Sequence, residues 1–173
     1  MTEQEVKQKD IKQFLAGLQQ FVQRDDRAAL ADLRRGFSPG TEYRAWPYIV
    51  DVCDLRDDRQ RQIWLTIAAG FATHKGTDPE AGNIGSTLRK LAKGQPGKSE
   101  EEALKSFDAR FRRLLTCDDT IELCERLRGV IRAAERKGIT INYERLFWDL
   151  QKWHKPDAKV KICWAQSYWG QEQ

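Results

Sequence analysis

Apolar residues recur every three or four positions along most of the chain, which is the spacing of amphipathic helices and not of strands. The first stripe consists of Ile11, Phe14, Leu15, Leu18 and Val22. Further stripes predict helices over residues 26–36, 43–50, 63–71, 83–93, 99–115, 119–137, 142–153 and 160–168. Residues 138–142 form too short an apolar run to predict a strand. The pattern therefore predicts an all-α protein.

Turn-forming residues cluster at Gly94–Ser99, between two of these predicted helices. Ser99 and Glu102 directly after the turn form the pattern of a capping box, which starts a new helix. We therefore predict two small helical bundles joined by a short Gly/Pro linker. Residues 1–95 would form the N-terminal helical domain and residues 96–173 the C-terminal bundle.

Four of the six tryptophans lie between residues 142 and 169. Most aromatic residues in this segment fall on the predicted apolar stripes, so we interpret them as core. Pro156 ends the first helix of the segment and can open the next one. Trp148 and Trp169 lie off the stripes, and the sequence leaves open whether they are core or interface.

Composition points to a soluble, reduced, cytoplasmic protein. The chain has 173 residues, of which 40% are apolar and 32% charged, and no apolar run approaches the ~20 residues of a membrane span. The N-terminus lacks the apolar centre of a signal peptide. Four cysteines without CxxC pairing and two distant histidines predict buried thiols and no metal site.

Basic residues are distributed unevenly, although the net charge is only +4. Residues 81–99 contain no acidic residue but include Arg89, Lys90, Lys93 and Lys98. A local field of one sign suits a phosphate backbone. This segment is therefore a candidate nucleic-acid contact.

Arginines also line predicted helix faces. Arg128, Arg132 and Arg136 follow one another at i, i+4, i+8 opposite an apolar stripe, and Arg113 lies opposite the stripe of the preceding helix. Ordinary solvated surface is the alternative interpretation, and Glu125 and Glu135 lie near enough in sequence to pair with the first set. Several such faces side by side would form a groove that holds a nucleic-acid backbone without reading its bases.

The sequence lacks the common enzyme motifs, including phosphate loops, GxSxG and HExxH. Adjacent carboxylates such as Asp118 and Asp119 stand at helix starts, where capping accounts for them. His154 is interpreted as a helix-end residue and not as a general base. We expect no enzyme activity, no catalytic residue, no metal and no cofactor; a metal-dependent nuclease remains a third hypothesis.

Several segments, in order and spacing, resemble the small subunit (CasB family) of type I-E CRISPR Cascade complexes. The matching segments cover about residues 25–170, and they are Arg27–Gly36, Ala45–Ile49, Asn83–Leu88, Arg110–Leu115, Leu127–Ile131 and Ile141–Gly170. The resemblance implies a two-domain, all-helical, non-catalytic subunit. It also implies partners: CRISPR RNA, target and non-target DNA contacted through the backbone, the large and backbone subunits, and a second copy of the chain.

The resemblance carries roles to individual positions. Arg34 and Arg35 match the family's arginine pair, and Arg110 and Arg128 match basic positions of the C-terminal half. Ser86 and Asp119 depart from the family pattern and put contacts there in doubt. The predicted nucleic-acid-binding residues are Arg34, Arg35, Arg89, Lys90, Lys93, Arg110, Arg113, Arg128 and Arg132. The alternative function is a helical protein-interaction module without direct nucleic-acid contact.

Overall fold

The computed structural model describes the backbone of residues 2–170, and the side chains of these residues except 3–9. All regular structure in this range is helical. The α-helices are α1 (Glu3–Gln23), α2 (Arg27–Arg34), α3 (Trp46–Ile49), α4 (Asp58–His74), α5 (Ile84–Lys93), α6 (Glu100–Leu115), α7 (Thr120–Arg136), α8 (Tyr143–Lys152) and α9 (Val160–Trp169). Short 3₁₀ turns cover Arg35–Phe37, Glu42–Arg44 and Pro156–Ala158. The predicted all-α class is confirmed.

Side-chain caps explain where most of the helices begin. The capping side chains accept hydrogen bonds from backbone N–H groups of the first turn, which have no partner inside the helix. Ser99 and Glu102 form the complete capping box at the start of α6. The other caps are Asp26, Asp57, Asn83, Asp119 and Asn142.

Helix α4 lies at the centre of the fold. Eleven consecutive residues, from Gln62 to Ala72, are buried, so the helix is covered on all sides. Helices α2, α7 and α8 pack around it. Trp64 of α4 contacts two neighbouring helices. Its ring centroid lies 5.0 Å from that of Phe14 on α1 and 4.6 Å from that of Phe147 on α8.

The hydrophobic core is continuous across the turn at Gly94–Ser99. Helix α5, before the turn, packs against α6, α7 and α9, all of which follow it. Leu88 and Leu91 of α5 belong to the same cluster of buried residues as Phe111 of α6. The division into domains at residues 95 and 96 stays a prediction, and the two parts share one core.

The aromatic residues of the C-terminal segment are mostly core, as the sequence predicts. Trp153 donates to the Cys117 carbonyl at 2.7 Å, and the fully buried Trp164 donates to Asp149 at 2.8 Å. Trp148 is half-buried against the core. Trp169 is 40% exposed. Its indole therefore belongs to the surface, which the sequence left open.

The expectation that the cysteine thiols are buried is wrong for two of the four. The prediction of buried thiols holds for Cys117 and Cys124, but Cys163 is exposed and Cys53 is only half-buried. The reason for Cys163 is that α9 buries a narrow face, Val160, Trp164 and Tyr168, and the thiol lies beside it.

Pro156 opens the short 3₁₀ turn and not α9 itself. Helix α9 begins only after Lys159, whose backbone takes a left-handed conformation (φ 54°) and so separates the two. In residues 2–170, no helix is both long and apolar enough to cross a membrane.

Candidate nucleic-acid interface

The outer face of α7 brings two of the predicted arginines to one exposed surface. Arg132 places its guanidinium carbon 5.3 Å from the centroid of the Phe37 ring. Arg110, from α6, places Nη2 3.5 Å from where a Cβ on Gly129 would lie. Gly129 and Arg132 are three residues apart on the helix and so share a face. The guanidinium from α6 therefore lies within contact distance of this face of α7.

Arg128 belongs to the same helix but is only partly available. Its Nη2 donates to Oε1 of Gln62 on α4 at 3.0 Å, and Nε2 of Gln62 donates to Glu42 at 3.0 Å. Its Nε is buried without a hydrogen-bond partner. The expectation that Arg128 points away from the core is therefore wrong. Helix α4 packs against this edge of α7, and its Gln62 accepts a hydrogen bond from one end of the guanidinium.

The predicted pairing of the α7 arginines with nearby acids is not observed. In the described part of the chain, Glu125 and Glu135 form no ion pair with Arg128, Arg132 or Arg136. The ion pair within α7 joins Arg126 to Glu122 at 2.7 Å. Arg128, Arg132 and Arg136 therefore have no ion-pair partner within α7.

A second basic site lies between α5 and α9, in a pocket of about 310 Å³. Polar, basic and glycine residues line it, namely Gly82, Ser86, Arg89, Lys90, Lys93, Gln166, Ser167 and Gly170. The helices approach closely here because Gly85 has no side chain. A Cβ at this position would lie only 2.1 Å from the Trp164 carbonyl oxygen. Asn83 links them further, donating to the Cys163 carbonyl and to Ser167.

The cations of this pocket differ in their exposure and in their ion pairing. Arg89 is largely buried and donates to the Tyr168 carbonyl at 2.7 Å and to Glu100 at 3.0 Å. Lys93 also pairs with Glu100, at 3.3 Å. Lys90 is exposed. Although residues 81–99 contain no acid, the carboxylate of Glu100 pairs with Arg89 and Lys93, whereas Lys90 lines the pocket as an exposed side chain.

The remaining predicted residues, Arg34, Arg35 and Arg113, are all exposed. Arg34 is exposed and donates weakly to the Ala72 carbonyl near the end of α4, at 3.4 Å. Arg35 is exposed in the 3₁₀ turn that also carries Phe37, the ring beneath Arg132. Arg113 is exposed on α6.

Two contributors were missed by the sequence reasoning. Gln62 orients Arg128, but it lies within an apolar helix, and nothing in its local pattern indicates this role. Gln166 completes the pocket from α9, 80 positions away from Ser86. Ser86 itself stood out only as a departure from the family pattern, and here its small side chain lines the pocket.

The groups weighed as catalytic have structural partners. Asp119 accepts from the backbone N–H of Ile121 at 2.9 Å as the cap of α7, and Asp118 pairs with Lys161 at 3.3 Å. The Nδ1 atom of His154 lies 3.1 Å from Nη2 of Arg59. Desolvation and, secondarily, this cation lower the pKa of His154.

No cluster of three His, Cys, Asp or Glu side chains within the described residues could hold a metal ion. The arrangement offers exposed guanidinium and ammonium groups that can bind phosphate oxygens.

Comparison with known proteins identifies the family. The model of a family described as CRISPR-associated protein Cse2 matches residues 27–169. A CRISPR-associated protein Cse2 of Thermus thermophilus is 33% identical over 147 residues, which cover 83% of this chain and 79% of that protein.

Solved structures agree with this match. A crystal structure of a CRISPR-associated protein of the Cse2 family, also from Thermus thermophilus, superposes with a TM-score of 0.72 at 28% identity, covering 92% of this chain and 97% of the other. The crystal structure of CasB from Thermobifida fusca has a TM-score of 0.64 over 94% of this chain and 97% of the other, and at 19% identity this likeness concerns the fold alone. The chain therefore belongs to the CRISPR-associated Cse2 family.

Proposed function

We propose that the chain is a non-catalytic subunit of a cytoplasmic Cascade complex that holds nucleic-acid strands through their phosphate backbone. The strands would be the CRISPR RNA with its target DNA and the displaced DNA strand during R-loop formation in antiviral defence. The large subunit, the backbone subunits and a second copy of the chain are the proposed protein partners. The observation that carries the proposal is the exposed arginine face of α7, formed by Arg132 and by Arg110, whose guanidinium lies over Gly129.

The chemistry of this face favours backbone contact. Arginine binds phosphate oxygens through two parallel N–H groups and stays charged at any cellular pH. Contacts of this kind position a strand without reading its sequence, which guide pairing does in CRISPR complexes.

Fluorescence anisotropy with labelled single- and double-stranded DNA at several salt concentrations tests the proposal. The double variant Arg110→Ala/Arg132→Ala should weaken binding and, by removing two contacts at about −0.7 each, reduce the slope of log K against log salt by about 1.4 for single strands. Arg27→Ala/Arg56→Ala is the matched control, because it removes the same charge from exposed arginines outside α6 and α7.

The result separates the two functions under consideration. Equal losses in both double variants would mean that only the net charge matters and would refute a specific face. Undetectable binding at low salt would favour the alternative of a protein-interaction module. The observation that favours this alternative is Trp169, which is 40% exposed while its Nε1 donates to Asp108 at 2.7 Å.

A further inference from the structure

A second pocket, of about 380 Å³, lies where α8 ends and α9 begins. It differs from the pocket between α5 and α9 because it has an apolar side. Trp153 and Val160 form buried parts of its lining, and Pro156 and Ile162 are exposed along it. Ile162 is 64% exposed, more than any other large apolar side chain in the described part of the chain.

Three lysines surround this apolar surface. Lys161 lies 3.3 Å from Asp118, and its Nζ lies 5.1 Å from the centroid of the Trp153 ring. Lys155 and Lys159 are exposed and form no ion pair within the described residues. Asp118 is the one acidic residue of the lining. The pocket therefore has a net positive charge beside an uncovered aliphatic side chain.

We propose that this pocket docks a segment of a partner protein that carries one apolar side chain between acidic side chains. The apolar side chain would cover Ile162 and Val160, and the acidic groups would pair with Lys155 and Lys159. Charge complementarity selects an acidic segment, and the aliphatic surface selects a protein. A phosphate backbone offers no aliphatic side chain to cover Ile162.

The composition of the two pockets supports this choice of partner. The pocket between α5 and α9 has no apolar side chain in its lining and includes Arg89. The pocket beside Ile162 contains lysines and no arginine, so it lacks the planar fork that binds phosphate oxygens in pairs. This docking site is independent of the arginine face on α7, so either proposal can fail without the other.

Anisotropy with three labelled peptides of equal length tests the docking site on the full chain. The first has a central leucine between glutamates, the second has serine in place of the leucine, and the third has lysines in place of the glutamates. The first should bind at least about fivefold more tightly than the other two. Ile162→Ser should weaken its binding about tenfold, the change expected when one aliphatic contact is lost.

Two control variants make the test specific. Val50→Ser removes an exposed aliphatic side chain elsewhere, from a residue that is 50% exposed, and should leave peptide binding unchanged. Lys155→Ser/Lys159→Gly should weaken binding and flatten its salt dependence, whereas Lys98→Ser/Lys105→Ser removes the same charge elsewhere and should not. Thermal unfolding of each variant verifies that it is folded.

Three results would overturn the docking site. The first is no binding of the glutamate-leucine peptide at any soluble concentration. The second is unchanged affinity in Ile162→Ser. The third is a labelled thymidine oligonucleotide that loses affinity in Lys155→Ser/Lys159→Gly while the peptide does not, which would make the pocket a nucleic-acid surface.

Discussion

Replacing Gly85 with alanine should force α5 and α9 apart. The new Cβ would lie 2.1 Å from the backbone oxygen of Trp164, whereas ordinary carbon–oxygen contacts are about 3.3 Å, so the helices would have to separate by about 1.2 Å. Trp164 cannot turn away, because it is fully buried and bonded to Asp149. Overpacking of this severity costs about 3 kcal/mol, offset by about 1 kcal/mol for the better helix propensity of alanine.

The expected net loss is therefore about 2 kcal/mol in the free energy of unfolding, or a fall of about 4–8 °C in Tm for a chain of this size. Urea unfolding followed by circular dichroism measures it. Gly17→Ala is the matched control: the position is exposed on α1 with nothing within 4 Å of the new Cβ, and it should stabilise the chain by about 0.5–1 kcal/mol. Unchanged or increased stability of Gly85→Ala would refute the close approach of α5 and α9.

Three further predictions use the same unfolding assay or simple labelling. Burial raises the pKa of Asp149, so the folded state binds this proton more tightly than the unfolded state does, and the free energy of unfolding falls as pH rises through that pKa. Between about pH 4 and pH 7, the stability of Asp149→Asn should therefore increase relative to that of the wild type. A stability difference that shrinks as pH rises would contradict this. A thiol reagent at about pH 8 should modify the exposed Cys163 first, while Cys124, whose burial raises its pKa to about 12, stays unmodified; Cys163→Ser should remove the fast phase. Arg128→Ala should cost about 1–2 kcal/mol because Gln62 loses its donor, against about 0.5 kcal/mol for Arg132→Ala; equal losses would show that Arg128 is not held by α4.

Local features of the sequence predicted the helices well. The capping residues, Ser99 with Glu102 above all, act through hydrogen bonds within a few positions, so their effect can be predicted without the tertiary structure. The apolar stripe of α7 is buried as predicted for the same reason of local periodicity. Pro156 was misjudged because the left-handed Lys159 separates its turn from α9, and Cys163 because α9 buries only the narrow face of Val160, Trp164 and Tyr168.

The candidate site was predicted less completely. Sequence spacing can place Arg128 on a helix face, but it cannot show which neighbouring element covers that face. Gln62 is 66 positions away, and Glu100 reaches Arg89 from the next helix. Both partners reduce the availability of cations that looked free in the sequence.

By itself, the sequence determined the helical class, the starts of most helices, the excess of basic residues and, through its ordered motifs, the family. The helical class and the helix starts follow from local backbone hydrogen bonding and from periodicity, which act over a few residues. The tertiary structure alone decided which cations remain exposed, that α5 and α9 form a polar pocket, and that Ile162 stays uncovered beside lysines. Those properties depend on how closely particular helices approach, and that distance is set by long-range packing, as at Gly85 between α5 and α9.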